Sequence, residues 1–398
     1  MKQTADAIVV GAGVIGASTA YHLAAKGIGN VVLLDKAGPA AGATGNAVAL
    51  VRFNYPDYAS AALAHHSYRT FREWDDVIGG ESGFRSCGLL ALVGPQHADS
   101  LKATVDMLRN DVSDEISFIS PEEVKLLQPF MVTDDLGGAS YQPHAGYAIG
   151  SDTVTSLIER ARDLGVRAEL DSRVDSVKVR GDSVTGIATD RGDLDSPVVV
   201  LCAGSWTGPI AETAGVDVPV RPGVLSAGLL RRPPDVPDHM AVLDGVGGGY
   251  WRPDLGEHTA IGISFPQFDH HWPDDPDHPD VRATQDEMAG SAAVIAERIP
   301  AMADAGWVRT WAGVDGFTPD GRMVLDRAPG VDGLYIAAGG SGHGFKTGPA
   351  VGLCMAEMII DGEPRTVDLH DFRIDRFSED PWKHGWQQNE LWRTAGAR

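Results

Sequence analysis

The amino-terminal 35 residues constrain the fold of this 398-residue chain more than any other segment. Two apolar runs, which read as buried β-strands, flank a glycine cluster, and a carboxylate closes the second run. Gly11 permits a tight turn, Gly13 allows the backbone to approach a pyrophosphate, and Gly16 allows a helix to pack closely on a strand. The order along the sequence is residues 7–10, Gly11, Gly13, Gly16, residues 31–34 and Asp35.

A helix that starts after this glycine turn completes a strand, turn, helix and strand unit. Its first residues, Val14 and Ile15, present backbone N–H groups and the positive end of the helix dipole to a phosphate. Asp35 follows the last glycine at the spacing of about 20 residues at which a carboxylate accepts hydrogen bonds from a ribose. The segment therefore predicts a dinucleotide-binding site.

A second loop of small residues follows Asp35 and Lys36. Residues 38–45 read Gly-Pro-Ala-Ala-Gly-Ala-Thr-Gly and include Gly42, Ala43 and Thr44. Such a loop is unusual for a nicotinamide enzyme, whereas it suits a cofactor that lies extended across the sheet. The pattern favours FAD over NAD. A nicotinamide enzyme is the alternative, and it predicts a colourless preparation.

Length and composition limit the class of protein. A chain of 398 residues with 43% hydrophobic content predicts two domains, or one domain with a large insertion. Three scattered cysteines are too few for a disulfide framework or a zinc cluster, and they indicate a reducing compartment. The formal net charge of -22 disfavours nucleic acid and anionic membranes as partners. We expect no signal peptide, no membrane span and no metal site, and therefore a cytoplasmic protein.

Two later segments supply further glycine turns. An apolar strand over residues 198–202 ends in Ala203-Gly204-Ser205-Trp206. A strand over residues 333–338 precedes the glycine-rich residues 339–346, after which a helix is predicted over residues 347–360. The turn at residues 203–206 follows an apolar strand, so we expect it to lie near the cofactor.

These motifs together resemble those of the FAD-dependent amine and amino-acid oxidoreductases of the D-amino-acid oxidase superfamily, particularly its sarcosine oxidase branch. The resemblance covers most of the chain and rests above all on Ser341-Gly342-His343-Gly344-Phe345-Lys346. It implies an α/β fold, in which a discontinuous Rossmann-like FAD-binding domain carries an α+β substrate domain built on an antiparallel sheet. The predicted divisions are residues 1–85, 145–219 and 312–375 for the FAD-binding domain, residues 86–144 and 220–311 for the substrate-binding domain, and residues 376–398 for a C-terminal tail.

The resemblance also implies which residues bind substrate and cofactor. In that family an arginine after the second glycine loop and a lysine that ends the last glycine motif hold the substrate carboxylate, and Arg52 and Lys346 match these positions. A carboxylate in an apolar cleft needs such partners, although a surface ion pair is the alternative for Arg52. Tyr250 falls among the aromatic residues of the substrate cage, as does Trp251, for which core packing is the alternative. His343 is a catalytic candidate, or acts through its backbone position in the turn. The predicted cofactor contacts are Gly11, Gly13, Val14, Ile15, Gly16, Asp35, Lys36, Gly42, Ala43, Thr44, Val174, Ala203, Gly204, Trp206, Gly340, Gly342, Gly344, Phe345 and Lys346.

Three departures from the family pattern refine these expectations. Asp315 stands where monomeric sarcosine oxidases have an active-site tyrosine, so we expect it to pair with a cationic group of the substrate. The positions at which relatives attach FAD covalently hold Gly313 and residues 44–46, so FAD is expected to bind noncovalently. Residues 259–263 contain no lysine, whereas those oxidases place an oxygen-activating lysine there. This difference favours an electron acceptor other than oxygen.

The expected function is FAD-dependent oxidation of the C–N bond of a small amino acid, a sarcosine-like N-alkyl or a D-amino acid, by hydride transfer to flavin N5. One alternative is the flavin subunit of a multi-subunit dehydrogenase that passes electrons to a partner protein or a quinone. Its C-terminal tail, with Trp382, Trp386 and Trp392, would then be a docking arm. A second alternative is a non-catalytic flavin-binding protein, which no amine would bleach.

Overall fold

The computed structural model describes residues 3–263, 272–278, 283–377 and 380–383. Most of the predicted C-terminal tail, including Trp386 and Trp392, lies outside the described residues. The strands of the described part are β1 (Gln3–Thr4), β2 (Ala7–Val10), β3 (Val31–Leu34), β4 (Leu50–Val51), β5 (Arg85–Ser86), β6 (Leu89–Val93), β7 (Ser117–Ile119), β8 (Gly138–Gln142), β9 (Gly146–Tyr147), β10 (Arg167–Glu169), β11 (Val174–Arg180), β12 (Ser183–Thr189), β13 (Gly192–Asp195), β14 (Val199–Leu201), β15 (Arg221–Arg231), β16 (Ala241–Asp244), β17 (Gly249–Asp254), β18 (His258–Ile263), β19 (Gly306–Phe317), β20 (Val324–Arg327) and β21 (Leu334–Ala338). The α-helices are α1 (Val14–Ala25), α2 (Ala43–Asn46), α3 (Tyr58–Arg72), α4 (Trp74–Val77), α5 (Ala98–Asp111), α6 (Pro121–Leu127), α7 (Gly150–Asp163), α8 (Thr207–Glu212), α9 (Gln285–Arg298) and α10 (Gly344–Ile360). Short 3-10 helices lie at Pro95–His97, Gly204–Trp206, Pro300–Asp304, His370–Phe372 and Ile374–Arg376.

A six-stranded sheet forms the centre of the fold, in the order β10-β3-β2-β14-β21-β20. Its first five strands are parallel and β20 is antiparallel. Every residue of β2, β3, β14 and β21 is buried. Continuous apolar runs of this kind belong to strands that are covered on both faces, as in doubly wound sheets.

The fingerprint turn joins β2 to α1 at the carboxyl edge of this sheet. Val10 pairs with Leu34, and the N–H of Gly11 donates to the Leu34 carbonyl at 2.7 Å, so that the turn and Asp35 lie side by side. Gly11 has a φ of +108°, a conformation that favours glycine. A Cβ at Gly16 would lie 1.8 Å from the Gly11 carbonyl oxygen. Only glycine at position 16 therefore allows α1 to pack this closely on the turn.

Helices α1 and α10 come from opposite ends of the chain and pack against each other. A Cβ at Gly348 would lie 2.7 Å from a Val14 methyl, and one at Gly352 would lie 2.2 Å from Ser18 Oγ. Ser18 Oγ also donates to the carbonyl of Pro349 at 3.1 Å. The small residues of α10 thus let the two backbones approach each other, and both helices begin at the same place above the sheet.

An eight-stranded sheet, in the order β19-β15-β18-β17-β16-β6-β8-β7, faces the central sheet. It is antiparallel except where β16 runs parallel to β6. α9, which starts with a capping box of Thr284 and Glu287, is anchored to this sheet by Arg298. The buried Arg298 guanidinium donates to the carboxylates of Asp244, at 2.8 Å, and Asp135, at 2.6 Å. These bonds satisfy a cation that burial would otherwise penalise.

The predicted fold class is confirmed: a parallel Rossmann-like sheet is combined with an antiparallel sheet, and each is assembled from separate stretches of the chain. The boundary predicted at residue 312 falls inside β19, which continues to Phe317, and the division into domains stays a prediction. The last helix starts at Gly344 rather than at residue 347, so Lys346 belongs to its first turn. Glycine disfavours helix on propensity alone, and packing of α10 on α1 outweighs that preference.

Acidification is expected to destabilise the fold through His239. This buried side chain places Nδ1 2.8 Å from the Met240 carbonyl oxygen and Nε2 2.8 Å from Thr259 Oγ1, so the neutral ring is satisfied on both sides. Burial, aided by Arg232, lowers the pKa of His239 to about 4. Because the unfolded chain binds this proton near pH 6.5, the stabilisation is complete above that pH and is lost as the pH falls toward 4. Between pH 6.5 and 5, the free energy of unfolding measured in urea should fall by about 1.5 kcal/mol less in His239→Gln than in wild type. An equal fall in both proteins would contradict the attribution of this pH dependence to His239.

Candidate active site

A cavity of about 570 Å³ lies between the central sheet and the eight-stranded sheet. Its floor is the carboxyl edge of the parallel strands, where Val10, Leu34 and Ala338 end their strands. Its roof includes Leu225 and Tyr250 from the antiparallel sheet. Ligands of open α/β sheets bind at this edge, and the volume is that of a ligand pocket.

All of the predicted site residues except two, Gly16 and Trp251, line this cavity. Gly16 lies behind the turn and serves helix packing, and its role as a cofactor contact stays a prediction. The predicted residues that line the cavity are Gly11, Gly13, Val14, Ile15, Asp35, Lys36, Gly42, Ala43, Thr44, Arg52, Val174, Ala203, Gly204, Trp206, Tyr250, Asp315, Gly340, Gly342, His343, Gly344, Phe345 and Lys346.

The amino terminus of α1 meets Asp35 and the second small-residue loop at one end of the cavity. The Ala12 N–H donates to Asp35 Oδ2 at 2.7 Å, and the Ala37 N–H donates to Oδ1 at 2.8 Å, which fixes the carboxylate at the end of β3. The Val14 N–H donates to Thr44 Oγ1 at 3.1 Å. This bond joins the two loops that the sequence predicts to face one cofactor.

The amino terminus of α10 meets the cavity from the other side. The N-cap residue of neither α1 nor α10 accepts a hydrogen bond from its helix, as is also true of α5 and α7; in α1 the Val14 N–H is bonded to Thr44. The termini of α1 and α10 direct partial positive charge at one cavity. Such termini are ready sites for anionic groups of a ligand.

The turn before α10 is held by Asp315 on β19. Its Oδ2 accepts the Gly342 N–H at 2.7 Å and its Oδ1 accepts the Gly316 N–H at 2.8 Å. Burial raises the pKa of Asp315, and these two bonds and Lys346 act in the opposite direction. Ser341, between the glycines, has a φ of +48°, which is strained for a residue other than glycine. Asp315 thus orders the turn, and its pairing with a substrate cation stays a prediction.

Arg52 and Lys346 bring two cations to the cavity from segments far apart in sequence. Arg52 is 1% exposed, and its Nη1 donates to the carbonyl oxygen of Asn54 at 3.1 Å and to Asn54 Oδ1 at 3.0 Å. Lys346 is 6% exposed, and its Nζ has no hydrogen bond or ion pair with any described residue. Burial and then Arg52 lower the pKa of Lys346 well below its usual range, while Asp315 opposes them. Two buried cations thus line one cavity, and one of them, Lys346, forms no ion pair with a described residue.

Sequence reasoning missed Tyr55, which lies between these cations and His343. Its phenol oxygen is 3.1 Å from His343 Nδ1. The only sequence signal was an aromatic residue three positions after Arg52. It also missed Trp311, whose Nε1 donates to the Asn46 carbonyl at 2.9 Å and ties β19 to the second loop.

The two aromatic residues of β17 that the sequence placed in the substrate cage lie in different environments. Tyr250 lines the cavity, whereas Trp251 is 0% exposed and packs in the core beside Ile261 and Val242. Successive residues of a strand point to opposite faces of a sheet, so the two rings could not share one pocket. For Trp251 core packing, the alternative that the sequence left open, is the correct interpretation.

Asp277 closes the end of the cavity near Asp35. It forms an ion pair with Lys36 and accepts a hydrogen bond from Trp206 Nε1 at 3.0 Å, while Lys36 Nζ lies 3.7 Å from the centroid of the Trp206 ring. Residues 272–278, rich in aspartate and proline, carry no sequence signature of a binding site. The contacts nevertheless attach this stretch to two predicted cofactor-binding residues.

Two features are absent from the part of the chain that the structure describes. Among these residues, no three His, Cys, Asp or Glu side chains are grouped as a metal site requires. None of the described helices combines the length and apolar character needed to cross a bilayer.

The parallel sheet, its fingerprint turn and the cavity at its edge define a dinucleotide-binding protein. The chain belongs to the DAO family of FAD dependent oxidoreductases, whose family model matches residues 6–358. This membership confirms the resemblance drawn from the motifs. The enzyme class and the use of FAD follow from the family.

Similar proteins agree with this assignment. Human mitochondrial sarcosine dehydrogenase is 29% identical, over 95% of this chain and 42% of its own length, so this chain spans less than half of that relative. Sarcosine oxidase subunit beta of Rhodobacter capsulatus is 27% identical, over 95% of this chain and 91% of its own length. The crystal structure of L-proline dehydrogenase from P. horikoshii shares the fold, with a TM-score of 0.85 at 23% identity, over 94% of this chain and 98% of that one.

The residues present fit FAD. A Cβ at Gly13 would point at Thr44 Oγ1, 3.1 Å away, so glycine keeps the wall of the cavity open beside the α1 terminus. A pyrophosphate suits that terminus, a ribose suits Asp35, and the α10 terminus suits a ring system that gains negative charge on reduction.

Loss of the Asp277 contact is expected to speed the release of FAD. Asp277→Asn removes the ion pair with Lys36, and because the pair is partly exposed the effect should be about threefold. The rise in flavin fluorescence after dilution of the holoprotein measures the rate. Asp274→Asn, an exposed change in the same segment, is the matched control and should leave the rate unchanged.

Proposed function

We propose that this protein oxidises the C–N bond of a small amino acid whose carboxylate is held by Arg52 and Lys346. One observation carries the proposal: two buried cations from distant parts of the chain line one cavity, and Lys346 forms no ion pair with a described residue, although Asp315 influences its pKa. A carboxylate is the commonest small anion that satisfies a guanidinium and an ammonium together. The names of two relatives specify sarcosine, an N-methyl amino acid, and this substrate class suits the proposal.

The bound FAD would supply the hydride acceptor, and the protein would supply position and charge. Arg52 and Lys346 orient the substrate by its carboxylate, and Tyr250 limits the space on the roof of the cavity. The α10 terminus would stabilise the negative charge that develops during reduction. Gly313, Thr44 and Asn46 line the cavity, and none of them is the cysteine or histidine to which some members of the family attach the cofactor, which supports noncovalent binding of FAD.

Anaerobic bleaching of the flavin tests this proposal. Sarcosine, other N-methyl amino acids, D-amino acids and L-proline are compared with N-methylethylamine, which keeps the amine and lacks the carboxylate. We expect bleaching by at least one amino acid and none by the simple amine at equal concentration. Bleaching by the amine alone, or by none of the compounds, would overturn the proposal.

A second proposal concerns the electron acceptor. The chain resembles one subunit of a sarcosine oxidase and less than half of a sarcosine dehydrogenase, which favours a flavin subunit that works with a partner subunit or domain. β18 carries no lysine, in keeping with an acceptor other than oxygen. Flavin reoxidation should be slow in air and fast with an artificial quinone. Rapid reoxidation by oxygen would contradict this. Cytoplasmic location stays a prediction from the sequence.

A further inference from the structure

We propose that the ring of Tyr55 is a positioning element that holds Arg52 and Lys346 together as one anion-binding pair. The inference rests on the proposed function, since it explains how the site keeps its selectivity for a carboxylate. Tyr55 is 1% exposed and, unlike the two cations, is not part of the cavity wall in the described structure. It therefore acts through Arg52 and Lys346 rather than on the substrate.

Both cations lie against the same aromatic ring. The guanidinium carbon of Arg52 is 4.7 Å from the centroid of the Tyr55 ring, and Nζ of Lys346 is 6.0 Å from it. A cation within about 6 Å of an aromatic face is attracted by the negative potential of the ring, and the attraction grows when water is excluded. The ring is thus a shared partner for two groups that repel each other.

An aromatic ring suits this place better than a carboxylate. An acidic side chain between the cations would neutralise them and compete with the substrate, whereas the ring attracts both and leaves their charge available. The charged and titratable groups that face Lys346 are Arg52, Asp315 and Tyr55. Burial and Arg52 lower the pKa of Lys346. Because the ring attracts the protonated amine, it acts against both effects.

The ring is itself fixed from both sides of the cavity. Its phenol oxygen lies 3.1 Å from His343 Nδ1, and the two rings meet edge to face with centroids 5.6 Å apart. His343 is the N-cap residue of α10, whose first turn carries Lys346. The Tyr55 N–H donates to the Phe53 carbonyl at 2.9 Å, within the segment that carries Arg52. Tyr55 therefore links the two segments that supply the cations.

Acetate binding to the holoenzyme tests the inference, followed through the flavin absorption spectrum. In Tyr55→Leu we expect the Kd for acetate to rise about tenfold, and in Tyr55→Phe, which keeps the ring, to stay within about twofold. Tyr58→Leu makes the same change at a side chain that is 55% exposed and should behave as wild type. The pH above which acetate binding weakens should fall by about one unit in Tyr55→Leu, a shift that a general loss of packing would not produce.

If Tyr55→Leu does not retain FAD, a series of fluorinated phenylalanines at position 55 tests the inference instead. Added fluorine weakens the negative face of the ring with little change in shape, so the Kd should rise stepwise with fluorine number. A flat series, an unchanged Kd in Tyr55→Leu, or an equal loss in Tyr55→Phe would overturn the inference and leave the proposed function standing. Wild-type protein that neither binds acetate nor is bleached by any amino acid would overturn both.

Discussion

Replacement of Lys346 by methionine should weaken substrate binding by about 100-fold while it makes the fold more stable. The amine is buried in the first turn of α10, beside Arg52, without an ion pair among the described residues. Its removal deprives the substrate carboxylate of one of two partners. It also relieves the cost of a buried cation, so the free energy of unfolding of the apoprotein should rise by about 1–2 kcal/mol at pH 7.

Two measurements separate these effects. The amino-acid concentration for half-maximal anaerobic flavin reduction reports binding, and urea unfolding of the apoprotein reports stability. Lys102→Met removes an exposed lysine and should change neither. If the flavin of Lys346→Met were reduced at the same amino-acid concentrations as that of wild type, the substrate carboxylate would lie elsewhere, whatever the stability of the variant.

Alanine at Gly16 should damage the fold, whereas alanine at Gly13 should damage cofactor binding alone. The new Cβ at position 16 would lie 1.8 Å from a backbone oxygen, so α1 must shift and the free energy of unfolding should fall by about 3 kcal/mol. The nearest atom to a Cβ at position 13 is Thr44 Oγ1, 3.1 Å away on the cavity side. Gly13 has a φ of -78°, which alanine adopts without strain. Its substitution should raise the Kd for FAD about tenfold or more and leave the apoprotein within about 1 kcal/mol of wild type.

Gly38→Ala is the matched control for both changes, because a Cβ at position 38 would meet no atom within 4 Å. Apoprotein stability is measured by urea unfolding, and affinity by the quenching of FAD fluorescence on titration. If Gly13→Ala lost as much stability as Gly16→Ala, the role of Gly13 would be helix packing and not the provision of space for the cofactor.

Local signals in the sequence were sufficient for the first structural unit of the parallel sheet, whereas most predicted residues of the cavity wall came from the resemblance to a family. The run from residue 7 to Asp35 encodes a complete structural unit, so its glycine turn and carboxylate could be placed without tertiary information. The start of α10 could not be placed in this way, because Gly344 joins the helix through packing against α1. Tyr55 was missed for a related reason: its importance comes from neighbours at positions 343 and 346, which no local pattern connects to it. Asp277 was missed because a run of aspartate and proline looks the same whether or not it docks on a lysine.

The contact of α1 with α10 has a consequence for how the protein matures. Ser18 and Pro349, which bond to each other, are 331 positions apart, so the ligand pocket closes only after the chain has been synthesised through α10. Nascent chains that stop before α10 would expose the apolar side of the first helix to water. Acquisition of the flavin must therefore await synthesis of α10, and products truncated before this helix should remain colourless and prone to aggregation.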